Sequence, residues 1–214
     1  MKDQLKVVII GNCNCGKTSI ITRIDKNTFT PEYTSTEGIT DHSIDLTYVE
    51  FNNRTLRMEL WDTAGQEKYR SLTSIIYKDA DAAILVYDIT NNESFTALKQ
   101  YWLNEIKENC PSDIVIAVAG NKSDLVGQVD EEEVRRFVEE NEIVFKNTSA
   151  VDNSGIKELF RDVGKVYLKR YLEEDEQQVN EEEGGKEEDG EKKEGNGKKL
   201  KGGNGEGNEK KKCC

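Results

Sequence analysis

Apolar residues along this chain fall into two kinds of pattern. Leu5–Ile10 is a short apolar run rich in β-branched residues that stops at Gly11, and residues 82–88 and 114–120 read as similar apolar runs. Such runs predict strands buried on both faces of a parallel sheet. Ile44, Leu46, Val49 and Phe51, and then the stretch Arg57–Trp61, alternate with polar residues, which predicts half-buried strands joined by a turn at Asn52-Asn53. Elsewhere the spacing is helical: Ile20, Ile21 and Ile24, and later Ile156, Leu159, Phe160, Val163, Val166 and Tyr167. The expected strands are 5–10, 43–51, 55–61, 82–88, 114–120 and 143–147; the expected helices are 16–25, 93–109, 131–140 and 155–172. Alternation of this kind predicts an α/β fold: a six-stranded, mostly parallel sheet flanked by helices, with the hairpin supplying one antiparallel edge strand. Met58 reads as core. Residues 1–172 have the length of one domain. Past Leu172 the composition changes. Residues 173–212 are almost entirely Glu, Lys, Gly, Asn, Asp and Gln, with only Val179 and Leu200 apolar. Too little apolar area is available there to offset ordering, so 173–214 is expected to be a disordered tail.

Chemistry sits at the predicted strand ends. Gly11-Asn12-Cys13-Asn14-Cys15-Gly16-Lys17-Thr18 follows a strand and opens a helix, the context in which this spacing makes a phosphate loop. Backbone N–H groups of Asn14, Cys15, Gly16, Lys17, Thr18 and Ser19, freed by Gly11 and Gly16, wrap a phosphate, and the helix N-terminus adds partial positive charge. Lys17 reaches the β- and γ-phosphates, and the Thr18 hydroxyl binds Mg²⁺. The stretch Arg57–Trp61 delivers Asp62-Thr63-Ala64-Gly65-Gln66. Asp62 suits the metal of a phosphate site, Gly65 offers an N–H to the γ-phosphate, and Gln66, an uncharged amide, orients an attacking water. The fifth strand delivers Asn121-Lys122-Ser123-Asp124. A carboxylate at Asp124 accepts from guanine N1–H and the 2-amino group. Facing adenine it would be buried and unpaired, which argues against an ATPase or kinase. Lys122 lays its aliphatic stem on the base. Backbone N–H groups of Ser149 and Ala150, within Thr148-Ser149-Ala150, are expected to reach guanine O6. Cys13 and Cys15 lack a second pair, and the one histidine, His42, is far along the chain, so a metal site there is disfavoured.

On these four segments the chain resembles the Ras-like small GTPases, P-loop proteins with a G domain, and within them the Rab family. Trp61–Leu72, Leu85–Thr90 and the pair Cys213-Cys214 carry the Rab likeness. The resemblance covers residues 5 to about 172 and the Cys pair. It implies a GTP/GDP switch that hydrolyses GTP and regulates vesicle traffic. It also implies geranylgeranyl groups on Cys213 and Cys214, and a place on the cytoplasmic face of an endomembrane with a soluble pool. Exchange factors, GTPase-activating proteins, an escort protein, a dissociation inhibitor and GTP-dependent effectors are its implied partners, and a monomer is implied. By position in the family pattern, Phe29 is the aromatic edge against guanine and Thr36 the threonine that ligates Mg²⁺ in the GTP form; Thr40 is the weaker candidate.

Four departures stand out. Glu37 replaces an apolar residue. The stretch Thr36–Asp62 is about three residues longer than usual, with the extra residues expected near Thr40-Asp41-His42. Val151 stands where a lysine is common. Cys13 occupies a position beside the phosphates. Glu37 and the longer Thr36–Asp62 stretch motivate an alternative, a nucleotide-locked binding module with the same fold and no cycle. The 214 residues carry 30 Lys and Arg against 42 Asp and Glu, a net charge of −12, which disfavours nucleic acid. Five cysteines without paired spacing fit a reducing compartment. No signal peptide or spanning run is present, so membrane contact falls to lipid on the Cys pair, helped by Lys210-Lys211-Lys212. The 173–212 stretch, as a flexible coil, spans about 35 Å on average and reads as a tether.

Overall fold

The computed structural model describes residues 3–31, 39–63 and 77–184, the side chains of Ile39 and of residues 173–184 excepted. Strands and helices follow in the order β1 (Gln4–Ile10), α1 (Lys17–Lys26), β2 (Ile39–Tyr48), β3 (Arg54–Thr63), β4 (Ala82–Asp88), α2 (Asn92–Ala97), α3 (Leu103–Asn109), β5 (Val115–Asn121), α4 (Glu131–Glu140), β6 (Val144–Thr148) and α5 (Ile156–Gly184). The sheet has six strands in the order β2-β3-β1-β4-β5-β6. Only the β2–β3 pair is antiparallel, and it lies at the edge, as the hairpin signal requires.

Parallel strands buried on both faces explain the continuous apolar runs. Leu5, Val7 and Ile9 of β1 face one core, shared with Ile20 and Ile21 of α1 and with Ile156, Leu159, Phe160 and Val163 of α5. Val8 and Ile10 face the other, with Phe95, Leu103, Ile106, Val134 and Val138 from α2, α3 and α4. Met58 is fully buried, and Val166 and Tyr167 pack partly buried at the rim.

The hairpin is where the structure departs from the pattern. β2 begins at Ile39, and its pairing with β3 runs one-to-one from Ile39↔Thr63 to Tyr48↔Arg54. Thr40, Asp41 and His42, where extra residues were expected, are ordinary strand. The unpaired length is in the turn: a 3₁₀ segment, Val49–Phe51, precedes Asn52 and Asn53, which both have positive φ. Asparagine tolerates that conformation, so a pair of them closes the hairpin. The last helix also outruns its apolar stripe, reaching Gly184 rather than residue 172. Glu and Gln, which dominate its last turns, are good helix formers by intrinsic propensity. The chain divides into two units, Met1–Glu174 and Asp175–Cys214. No described helix is long and apolar enough to cross a membrane.

One close approach sets the fit of α5 on the sheet. A methyl at Gly164 would run into the Tyr48 hydroxyl and ring and would lie 2.8 Å from Met58 Cε. The Tyr48 ring is fully buried, and its hydroxyl donates to the Phe160 carbonyl at 3.4 Å. Alanine favours a helix over glycine by about 1 kcal/mol, yet overpacking here should win. Gly164→Ala is expected to lower the urea midpoint by an amount equal to about 1–3 kcal/mol; a midpoint at or above that of the parent would refute this packing.

Candidate functional site

The four chemical segments start from the carboxyl ends of β1, β3, β5 and β6, parallel strands whose ends share one edge of the sheet. This is the carboxyl edge, where open α/β sheets bind ligands. Between β1 and α1 the chain makes a tight loop. Gly11 has φ 145° and a side chain there would strike the Val86 carbonyl of β4; Gly16 caps α1 at φ 92° and a side chain there would strike the Asn121 amide. Asn14, at φ 64°, takes the left-handed conformation that asparagine tolerates. The loop is thus a concave run of backbone N–H groups ahead of a helix N-terminus.

Lys17 is buried, and its ammonium donates to the carbonyls of Gly11 at 3.0 Å and Asn12 at 2.9 Å. Burial pushes its pKa down, an effect that a neighbouring phosphate anion would oppose. Thr18 Oγ1 donates to Asp62 Oδ2 at 2.6 Å, and Asp62 is fully buried at the end of β3. A hydroxyl and a carboxylate so placed are hard oxygen donors that fit Mg²⁺. That ion takes one or two protein oxygens and fills the rest of its shell with phosphate and water. Among the described residues no cluster of three His, Cys, Asp or Glu exists that would hold a metal by side chains alone. Cys15 is buried, which pushes its thiol up to about 11, while Cys13 is exposed.

The base loop is bound to this phosphate loop directly. The Asn121 amide, almost fully buried, donates to the Cys15 carbonyl at 2.7 Å and accepts from the Thr148 hydroxyl at 3.2 Å. Ser123 N–H donates to the Thr148 carbonyl at 3.0 Å. The Asp124 carboxylate is exposed in the open site, and its Oδ1 accepts from the Ser149 hydroxyl at 2.6 Å. That bond fixes the orientation of the carboxylate. It also revises the part expected of Ser149: its N–H donates to the Ser154 carbonyl, and its hydroxyl accepts from the N–H groups of Val151 and Asp152. With its N–H engaged, Ser149 meets Asp124 through its hydroxyl, and the Ala150 N–H is the candidate donor for guanine O6. Phe29 is half-buried and packs against the core shared by α1 and α5. Thr36, Gly65, Gln66, Cys213 and Cys214 lie outside the described residues.

Two contributors escaped the sequence pattern. Arg23 of α1 donates to three carbonyls: Ala150 at 2.7 Å, Val151 at 3.1 Å and Asn27 at 3.0 Å. It ties the segment leading to Phe29 to the base loop. Asp88, at the end of β4, pairs with the Lys122 ammonium at 2.5 Å and accepts from the hydroxyl and N–H of Thr90. Lys122 sits at φ 67°, and this pair holds its side chain. An acid ending an all-apolar strand was the available signal. Burial alone would raise the Asp88 carboxyl; the bonds from Lys122 and Thr90 outweigh it and hold the carboxyl below its ordinary value. A carboxylate held low adds stability that is complete above the unfolded value of about 4 and is lost as pH falls through the folded one. Asp88→Asn should therefore cost about 1–2 kcal/mol in denaturation at pH 7. The gap to the parent should close below pH ~4, and a gap that stays constant across that range would refute the pairing.

Comparison with known proteins agrees with this geometry. A model of the Ras family matches residues 6–169. The GTP-binding protein ypt3 of Schizosaccharomyces pombe is 36% identical over 181 residues, covering 82% of this chain and 83% of its own. The putative ras-related protein Rab-5B of Dictyostelium discoideum is 37% identical over 172 residues, 78% and 76% of the two chains. The Ras-related protein Rab5 of Nicotiana tabacum is 40% identical over 162 residues, 75% and 79%. Matches of this length decide the family: the chain is a Ras-family small GTPase of the Rab type, an enzyme that binds GTP and hydrolyses it to GDP.

Proposed function

We propose that this chain works as a lipid-anchored switch in vesicle traffic, and that its own residues divide the work as follows. The N–H groups of Asn14–Ser19 and the Lys17 ammonium hold the β- and γ-phosphates. Asp124, its carboxylate oriented by Ser149, pairs with the N1–H and 2-amino group of guanine, with Lys122 and Phe29 on the faces and edge of the base. Thr18 and Asp62 would hold Mg²⁺, joined in the GTP form by Thr36, and the ion would supply charge neutralisation at the phosphates. Gln66 orients the water that attacks the γ-phosphorus, GDP leaves, and Gly65 offers its N–H to the γ-phosphate. Positioning and charge stabilisation supply most of such a rate, so no covalent intermediate with the protein is needed. The observation that supports this reading is the bond from Asn121 to the Cys15 carbonyl, which ties the phosphate loop directly to the base loop.

Geranylgeranyl groups on Cys213 and Cys214 supply the membrane contact. Two lipid chains anchor stably where one does not. Exchange factors and GTPase-activating proteins act on the nucleotide, an escort protein and a dissociation inhibitor on the lipid, and effectors on the GTP form. These partners and the endomembrane address follow from the kinship with Rab proteins.

Single-turnover hydrolysis of preloaded GTP in Mg²⁺ tests the cycle. The parent is expected to hydrolyse slowly, and Gln66→Leu to be slower by about tenfold or more, a barrier increase of at least ~1.4 kcal/mol. GTP that persists equally in both would instead support a nucleotide-locked binding module. The exposed Cys13 beside the phosphates and Glu37 would then be the residues to revert. Separately, the full chain expressed in a eukaryotic cell should sediment with membranes, and a Cys213→Ser, Cys214→Ser variant should remain in the supernatant. Equal partition of the two would sink the anchor.

A further inference from the structure

The segment joining α2 to α3 is not a regular helix. Five residues, Leu98–Trp102, wind as a π-helix, and the Leu103 N–H donates to the Leu98 carbonyl five positions back. A wide turn of this kind accommodates one residue more than an α-turn and is found often at functional sites. Here it lets Leu98 and Leu103 both enter the core, at 0% and 4% exposure, while Trp102 between them turns aside, half-buried. The Tyr101 ring meets the Trp102 ring edge-on, with centroids 4.8 Å apart. The indole N–H of Trp102 donates to Asn12 Oδ1 at 2.8 Å.

Asn12 is not a bystander. It follows Gly11 in the phosphate loop, and its carbonyl is one of the two that hold the Lys17 ammonium. The base side of the loop is tied by Asn121 through the Cys15 carbonyl. At Asn12 the side-chain tie is the indole. An indole N–H only donates, so it selects the oxygen of the Asn12 amide and orients the whole group. A bound phosphate pulls the Lys17 ammonium outward, and the carbonyls that aim it hold their place only if their own residues are held.

We propose that Trp102 is a positioning residue of the nucleotide site: by pinning Asn12 it fixes the carbonyl cradle that aims Lys17 at the phosphates. The inference rests on the phosphate-binding role of Gly11–Thr18. The competing account is that Trp102 only fills space beside the second core. The two differ in what removing one hydrogen bond does to nucleotide release.

The test is release of fluorescent GDP from the loaded full chain in Mg²⁺, chased with unlabelled GDP. Trp102→Phe keeps an aromatic ring and loses the donor; Asn12→Ala leaves the ring and loses the acceptor. Each should release GDP about three- to tenfold faster than the parent, the range of one hydrogen bond. The double variant should be no faster than the faster single variant, because both remove the same bond. Asn12→Asp, which restores an acceptor, should recover most of the loss seen in Asn12→Ala. Multiplicative effects in the double variant, or singles that release GDP at the parental rate, would overturn the proposal. A parent chain that retains no GDP would overturn the phosphate-site reading and this inference with it.

Discussion

The site depends on one buried amide. Asn121 ends β5 with its side chain nearly sealed from water, donating to the phosphate loop and accepting from the end of β6. An unpaired amide at that depth would cost on the order of 1–3 kcal/mol, so both bonds are obligatory once the sheet has formed. Through them the phosphate loop, the base loop and the last strand cannot move independently. The Gly16 position follows from the same contact, since any side chain there would occupy the space the amide uses. Gly11 is constrained in the same manner by the β4 backbone. The phosphate loop is therefore shaped by its neighbours as much as by its own residues.

Around this frame Lys17, Lys122 and Asp124 each have a counterpart. Lys17 rests on two carbonyls, which is a weak substitute for an anion, and burial already presses it toward neutrality. Such a group gains more from a phosphate than an exposed lysine would, because the anion replaces poor solvation rather than good solvation. Lys122 is treated in the opposite way. Asp88 pairs with it in the open site, so its stem is held ready beside the base position instead of sweeping through solvent. Asp124 is held by Ser149 in the same manner. Pre-ordering of this kind lowers the entropic cost of binding a nucleotide.

The architecture tolerates irregularity away from these contacts. The β2–β3 turn holds a 3₁₀ segment and two asparagines of positive φ beside a regular ladder of ten pairs, because register is enforced by the buried faces of the strands and not by the loop. The π segment between α2 and α3 is a different case. It is enforced by the core, which takes both Leu98 and Leu103, and the displaced Trp102 reaches the phosphate loop as a result.

The sequence by itself determined what is local in the chain. Continuous apolar runs, alternation and the 3.6-residue period identified all six strands and most of the helical length. The phosphate and base chemistry was legible because each requires particular residues within a few positions of one another: Lys17 and Thr18 after Gly16, or Asp124 three after Asn121. Contacts between distant residues were not legible. Asn121 meets Cys15 across 106 positions, Arg23 meets Ala150 across 127, and Trp102 meets Asn12 across 90. No spacing rule relates such pairs, since their distance is set by how strands order in the sheet. The same holds for Ser149. Whether it works through its N–H or its hydroxyl depends on the Ser154 carbonyl, which only the folded loop brings within 3.0 Å. Position along the chain announced the chemistry; tertiary structure decided which atoms carry it out, because hydrogen bonds are satisfied in space and not in sequence.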